Sequence, residues 1–270
     1  MEAGVRDGSG EAGLAVDEAL RRVIRERRIA VLATVVTAAD VRAIGRKLLV
    51  EREDTTSGSL GDAELDASVR GDAHEVMAVR KSQVIAYPSS GGEVEVFHEL
   101  LEPQPQLLII GAGHIAVPLA RFGHQLGLEV VVLDDREKFA NVERFPDADR
   151  VIAADFGGSL IDYPVTPSTY IVIITRAHTY DEEALRIILG RPSAYIGMIG
   201  SRRRVQTVLR TLAAEGYDRD ALAQIRAPIG LDVAAETPEE IALSIIAEVV
   251  AARRGGSGVP LSQQMRAIAI

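Results

Sequence analysis

Apolar residues in this chain follow two different patterns. From residue 107 onward, short aliphatic and β-branched runs alternate with stretches whose apolar positions recur every three or four residues. Residues 107–110, 129–133, 150–154, 170–175 and 194–199 read as strands, and the segments ending near 126, over 180–189 and over 201–215 read as helices. Near-continuous apolar strands alternating with helices predict a parallel sheet covered on both faces, a Rossmann-like doubly wound α/β fold. The earlier part of the chain is patterned otherwise. Leu14, Val16, Leu20 and Val23 stand at helical spacing among charges, 29–36 and 47–51 read as strands, and 57–66 is a glycine turn entering a helix over 63–70. With strands at 84–87 and 94–98 around a turn at 89–92, this predicts a small α+β domain over 14–101.

Punctuation sets the remaining boundaries. Residues 1–13, rich in Gly, Glu and Ala, are expected to be disordered. The stretch EPQPQ, 102–106, is the expected linker, and the α/β domain spans 107–254. Its last helix has a legible start, with Thr237 as N-cap, Pro238 at N1 and Glu240 completing a capping box, which accounts for the Glu239–Glu240 pair without catalysis. Gly255, Gly256, Ser257 and Gly258 end it, leaving 255–270 as an expected mobile tail. The arginines at 21, 22, 25, 27 and 28 read as a solvated helix face.

Composition narrows the function classes. The 270 residues are 47% hydrophobic, enough for a substantial core, while a net charge of −9 and 4% aromatic content argue against a nucleic-acid partner. No apolar run approaches the ~20 residues of a membrane span and the first residues lack a basic-then-apolar leader pattern, so no membrane association and a cytoplasmic location are expected. The chain has no cysteine, which excludes disulfides, thiolate metal sites and persulfide chemistry on this chain. Its five histidines, at 74, 98, 114, 124 and 178, are dispersed, and no metal site is expected. Neither a G-x-S-x-G elbow nor a Walker loop occurs.

The chemistry gathers at the strand ends. After the run 107–110 come Gly111, Gly113 and Ala116 in the pattern G-x-G-x-x-A, then a helix, then a second strand ending on Asp134 and Asp135. Gly111 permits a tight turn, Gly113 lets the backbone approach a diphosphate, Ala116 keeps the helix near the strand, and the N–H groups over His114 and Ile115 at the helix start face an anion. Asp134, 23 positions after Gly111, or its neighbour Asp135 could bond a ribose, while Arg136 leaves room for a 2′-phosphate, so NAD and NADP are both open. The third strand end supplies Asp155. The fourth supplies Thr175, Arg176 and His178 with Asp181 three residues on, either a base with an orienting carboxylate or an acid that caps and charges a helix start. At the fifth, Gly200 and the N-cap Ser201 precede Arg202, Arg203 and Arg204, whose charges oppose the helix dipole unless an anion or nearby acids offset them. The loop 227–232, with Gly230, closes the same series.

Taken together, these strand-end motifs resemble the XdhC/CoxI family, accessory proteins of xanthine dehydrogenase and related molybdenum hydroxylases. The matching pieces are LLIIGAGHIA (107–116), VVVLDDRE (130–137), TRAHTYDEEAL (175–185), YIGMIGSRRR (195–204) and APIGLDVAAETPEEIALSIIAEVVA (227–251), with SGSLGDAELD (57–66) before them. The resemblance implies a small domain followed by a Rossmann domain, and a protein that binds molybdenum cofactor, works with a cysteine desulfurase that installs its sulfido ligand, and delivers it to the large subunit of an apo-hydroxylase. The oligomeric state, monomer or homodimer, is open. The sequence departs from the family pattern at Glu64, which stands where many members carry the cysteine of a glycine-rich turn, and at Ala177, which stands where T-R-G-H is usual. Against delivery stand an NAD(P)-dependent oxidoreductase using His178 or Asp181 and a nucleotide-sensing module without turnover; the chain shows no Tyr-x-x-x-Lys or comparable proton-transfer set.

Overall fold

The computed structural model describes residues 9–52, 54–89 and 92–266. The chain divides into two compact units, one ending at Pro103 and the other beginning at Gln104. The first contains α1 (Ser9–Arg25), β1 (Ala30–Thr37), β2 (Lys47–Glu51), β3 (Thr56–Gly58), α2 (Ala63–Val79), β4 (Gln83–Ser89) and β5 (Gly92–Leu101). Its strands form an antiparallel sheet in the order β3-β2-β1-β5-β4. The central strand β1 is apolar on both faces from Ala30 to Ala33, with only Thr34 between that run and Val35, because both its faces are covered. Ala30 and Leu32 pack with Val16, Ala19 and Val23 of α1, while Val31, Ala33 and Val35 pack with Leu65, Val69, Ala73, Val76 and Met77 of α2. Successive strand side chains alternate faces, so one apolar run serves two cores.

Several boundaries differ from those expected. Helix α1 starts at Ser9, inside the stretch expected to be disordered; the rest of that stretch, 1–8, lies outside the described residues. Helix α2 continues past residue 70 because Ala73, Val76 and Met77 extend its buried stripe. Ser90 and Gly91 of the expected turn between β4 and β5 lie outside the described residues. Among the basic residues assigned to a solvated face, Arg22 and Arg28 turn inward to the buried Glu51 at the end of β2, with N–O distances of 2.6 and 2.7 Å. An unpaired carboxylate there would be costly, and the two guanidiniums tie α1 and its exit to the sheet.

The second unit runs β6 (Gln106–Ile110), α3 (Ala116–Gln125), β7 (Glu129–Asp134), β8 (Arg150–Ala153), α4 (Phe156–Ile161), β9 (Thr169–Ile173), α5 (His178–Ile188), β10 (Tyr195–Met198), α6 (Arg202–Ala214), α7 (Arg219–Ala223), α8 (Pro238–Arg254) and α9 (Leu261–Arg266). Its sheet has the order β10-β9-β6-β7-β8, and every pairing is parallel. Side chains of α3 and α8 cover one face and those of α4, α5, α6 and α7 the other, giving three layers with two apolar cores. Gln106, placed in the linker by its polarity, is instead the buried first residue of β6 and accepts the Tyr163 hydroxyl at 2.8 Å. The short helix α4 is not legible in the pattern because its sequence, FGGSLI, carries two poor helix formers. Helix α9 falls in the segment expected to be a mobile tail.

The order in which successive strands are added reverses at β6, while all strands keep one direction. The path goes from β6 to β7 and β8 on one side and then returns to β9 and β10 on the other, which opens a crevice beyond the carboxyl ends of β6 and β9.

Candidate functional site

Gly111 follows β6 with φ 112°, and a Cβ there would stand 2.5 Å from the Ile174 carbonyl oxygen, so only glycine lets the turn lie against the end of β9. Gly113 differs: a Cβ at that position would meet nothing within 4 Å, and its backbone borders open space. The N–H groups of Gly113, His114 and Ile115 find no acceptor among the described residues, and α3 begins at Ala116 with no side-chain cap. Backbone donors at a helix start without a cap form an anion-binding concavity.

The turn is braced from both sides. The Ala112 N–H donates to Asp134 Oδ2 at 2.7 Å, and the Ala112 carbonyl accepts from Arg144 Nη1 at 2.8 Å. Arg144 also donates to the Phe139 carbonyl and lies over the Phe139 and Phe145 rings. No local motif marks Arg144, which reaches the turn from a loop 32 residues away.

The carboxyl end of β7 departs from the expected ribose site. Asp134 is 1% exposed and receives four donors: the Ala112 N–H, the Arg136 N–H at 3.0 Å, Arg136 Nε at 2.8 Å and Arg136 Nη2 at 2.9 Å. Burial alone would raise its carboxyl pKa, but the hydrogen bonds from the Arg136 guanidinium and the two N–H groups outweigh this and hold it down to about 2. Its lone pairs are committed, so Asp134 fixes the glycine turn and cannot also face a ribose. Arg136 is committed in the same way and stacks 3.9 Å from the Phe139 ring centroid. Asp135, the other ribose candidate, accepts both Arg176 Nη atoms at 2.5 and 2.7 Å.

Beyond β9, the residues considered as a catalytic pair separate. His178 is the exposed first residue of α5, whereas Asp181 is wholly buried and accepts Thr175 Oγ1 at 2.6 Å and Arg204 Nε at 2.7 Å. Asp181 therefore neither orients His178 nor caps α5, whose N-cap Ala177 makes no side-chain bond. Burial pushes its carboxyl pKa up, opposed by Thr175 and Arg204. Of the three arginines opening α6, Arg204 turns back onto Asp181, while Arg202 and Arg203 are exposed and make no ion pair among the described residues. Ser201 caps α6 through the Arg204 N–H, and the side chain of Arg204 covers Gly200.

Two residues of the expected set serve the framework. Asp155, beyond the edge strand β8, caps α4 by accepting the Gly158 N–H at 2.7 Å. Gly230 gives its N–H to Glu248 Oε2 at 2.7 Å, and a Cβ there would strike Ser244 Oγ, so the loop 227–232 is fastened to α8. The structure thus gathers residues 111–115, 134–136, 175–176 and 181 around the ends of β6, β7 and β9. Arg202 and Arg203 lie one strand further out, on the same rim of the sheet. A cleft of about 690 Å³ lined by Arg191, Ser193, Tyr195, Gln224 and Arg226 lies at the opposite, amino end of β10. Among the described residues no group of three or more His, Asp or Glu side chains could hold a metal ion, and no helix is long and apolar enough to cross a membrane.

Known proteins resemble this chain in sequence and fold. The XdhC Rossmann domain matches residues 107–249, and the XdhC and CoxI family matches residues 23–88. The uncharacterized protein YqeB of Escherichia coli is 29% identical over 224 residues, covering 78% of this chain and 41% of YqeB. A Bacillus subtilis protein described as a probable xanthine dehydrogenase subunit is 29% identical over 175 residues, or 65% of this chain and 51% of that protein. The chain therefore spans about half or less of the length of these two relatives. The molybdenum cofactor insertion chaperone PaoD of Escherichia coli is 23% identical, with 83% of each chain covered. A crystal structure of a xanthine dehydrogenase from Bacillus halodurans shares the fold with TM-score 0.53 at 21% identity, covering 88% of this chain and 95% of the other. Since the Rossmann-domain match alone covers more than half of the chain and the unit before it matches as well, the chain belongs to the XdhC and CoxI family.

Proposed function

We propose that this chain is a maturation factor for a molybdenum hydroxylase, binding molybdenum cofactor as cargo by its phosphate at the glycine turn and passing it to the apo-hydroxylase. The observation that carries this reading is the turn itself. Three backbone N–H groups without acceptors border open space at Gly113, while Ala112 is held at its N–H by Asp134 and at its carbonyl by Arg144. Donors fixed in advance bind an anion without further ordering cost. The same strand ends hold Arg176 and, further out, Arg202 and Arg203, all of which suit an anionic cargo. His178 and Asp181 form no proton-transfer pair, and Asp134 has no lone pair left for a ribose, so turnover of a bound dinucleotide has less support than carriage. The name of the relative PaoD is in keeping with delivery.

With no cysteine in the chain, sulfur cannot pass through a persulfide on it. The cysteine desulfurase of this proposal therefore acts directly on cofactor held at the glycine turn. Glu64, at the cysteine position of the family turn, is exposed in the first turn of α2, where the helix start favours its charge.

Substitution at the two glycines tests the reading. The Cβ that Gly113→Val adds meets nothing within 4 Å, so the protein should fold normally and lose cofactor binding at least tenfold. Gly111→Ala should instead destabilise the unit by a few kcal/mol, because its Cβ meets backbone and φ is positive. Binding of isolated molybdenum cofactor and reconstitution of an apo-hydroxylase are the measurements. Native affinity in well-folded Gly113→Val would refute the glycine-turn site, and mass spectrometry finding a nicotinamide rather than a pterin on the purified chain would refute the cargo.

A further inference from the structure

Asp135 and Arg176 do more than neutralise each other. Leu133 of β7 and Ile173 of β9 both pair with Ile110 of β6, so β6 lies between the other two strands. Asp135 comes two residues after Leu133 and Arg176 three after Ile173, and the glycine turn 111–113 occupies the same levels beyond Ile110. Neighbouring strands are ~4.8 Å apart, so β7 and β9 are separated by about 10 Å, and the two side chains meet across the end of β6. Their two-pronged contact, at 2.5 and 2.7 Å, bridges the turn whose N–H groups are without acceptors.

Both ends of this bridge are prepared for its opening. If Asp135 withdraws, the Arg176 guanidinium stays positioned by the Tyr180 ring, 4.0 Å from its centroid, and by the Tyr180 hydroxyl. Tyr180 is in turn set edge-on against the buried Phe156 at 5.5 Å. The Asp135 carboxylate also has a second partner near, with Arg136 Nε 3.8 Å from its Oδ1. Asp135 and Asp134 act on Arg176, and Arg136 and Arg176 act on each other, so the four charges sum to zero while the bridge is closed.

We infer that the Asp135–Arg176 bridge is a selectivity latch over the glycine turn, opened by the dianion of a phosphate monoester and kept shut against phosphodiesters. This rests on the reading of the glycine turn as a phosphate site and narrows its ligand class. A diester phosphate carries one negative charge; at Arg176 it exchanges one monoanion for another and leaves Asp135 facing it. A monoester, with a second pKa near ~6, carries close to two charges at neutral pH and gains on the exchange. The bridging diphosphate of a dinucleotide presents each phosphorus as a monoanion, so the latch favours a ligand that ends in a phosphate.

The test compares methyl phosphate with dimethyl phosphate at pH 8 by isothermal titration calorimetry on the full chain. The native protein should prefer the monoester. Asp135→Asn should bind dimethyl phosphate about fivefold more tightly than native, the upper range for a partly exposed ion pair, and the monoester-to-diester ratio should shrink accordingly. Adding Arg176→Gln should weaken both probes and abolish the effect of Asp135→Asn. Melting followed by circular dichroism checks folding, with Asp135→Ser as a second latch variant. Affinities and ratio within twofold of native in both latch variants overturn the latch. If Gly113→Val still abolishes monoester binding in that case, the glycine-turn site stands without it. If native and variant chains bind neither probe, the latch and the phosphate site fall together.

Discussion

The Asp134 carboxylate accepts four N–H donors, and an asparagine in its place has one oxygen to offer them. Its amide hydrogens would face either the Ala112 N–H or the Arg136 guanidinium, both of which are donors. Asp134→Asn should therefore cost about 2–3 kcal/mol, combining unsatisfied donors with the loss of a charge-assisted pair, and should loosen the turn that presents Gly113. The pH dependence follows from the same contacts. The native carboxyl is held at about 2 against an ordinary 3.8, so between those values the unfolded chain binds more protons than the folded one. The Asp134 contribution is fully present above about pH 4 and is lost as pH falls towards 2, and the shift corresponds to roughly 2–3 kcal/mol. Chemical denaturation of native and Asp134→Asn proteins at pH 6 and pH 3 should show the difference between them shrinking in acid; an unchanged difference would remove Asp134 from this role.

At the scale of elements, Asp181 joins three pieces that local patterning treats as independent. From α5 it reaches Thr175 beyond β9 and Arg204 in the first turn of α6, and Arg204 also donates to the Thr175 carbonyl. This tie answers the opposition between three arginines and the α6 dipole, since one of the three is neutralised from inside. Asp181→Ala should destabilise by about 3 kcal/mol by leaving the Arg204 guanidinium beside an emptied site. Asp181→Asn should cost roughly half as much. Its carbonyl can still accept from Arg204 and its amide can donate to Thr175 Oγ1, whose own proton then goes to the Ala177 carbonyl at 2.9 Å. Equal losses for the two variants by thermal melting would mean that the charge, not the hydrogen bonds, carries the tie. The contrast also marks what sequence can reveal. The strands, the glycine turn, the Ser201 cap and the Thr237–Glu240 capping box are written in neighbouring residues, and each stands near its expected place. The Asp181–Arg204, Arg144–Ala112 and Glu248–Gly230 contacts span 23, 32 and 18 residues, and nothing local distinguishes those side chains from solvated charges. Asp134 departs from its expected role for a related reason: the spacing that places an acid at the end of β7 is the same whether it faces a ribose or turns back to its own glycine turn.

The whole molecule separates along the lines of its cores. The two apolar clusters of the first unit draw their buried side chains from Val16 to Val96, and the two of the second from Leu107 to Val249, with no residue in common. Every residue of the glycine-turn site, its Asp134 and Arg144 braces and the Asp135–Arg176 bridge belongs to the second unit. A fragment of residues 104–266 should therefore fold alone, since it retains an apolar core on each face of a five-stranded sheet. It should melt in one cooperative transition and bind methyl phosphate within twofold of the full chain. Delivery should behave differently if the first unit has a part in it: the fragment would hold cofactor yet fail to activate an apo-hydroxylase, assigning client or desulfurase recognition to the unit that carries Glu64. A fragment that unfolds, or folds without binding phosphate, would show that the glycine turn depends on residues before Gln104, whereas full delivery by the fragment would confine the proposed function to the Rossmann unit.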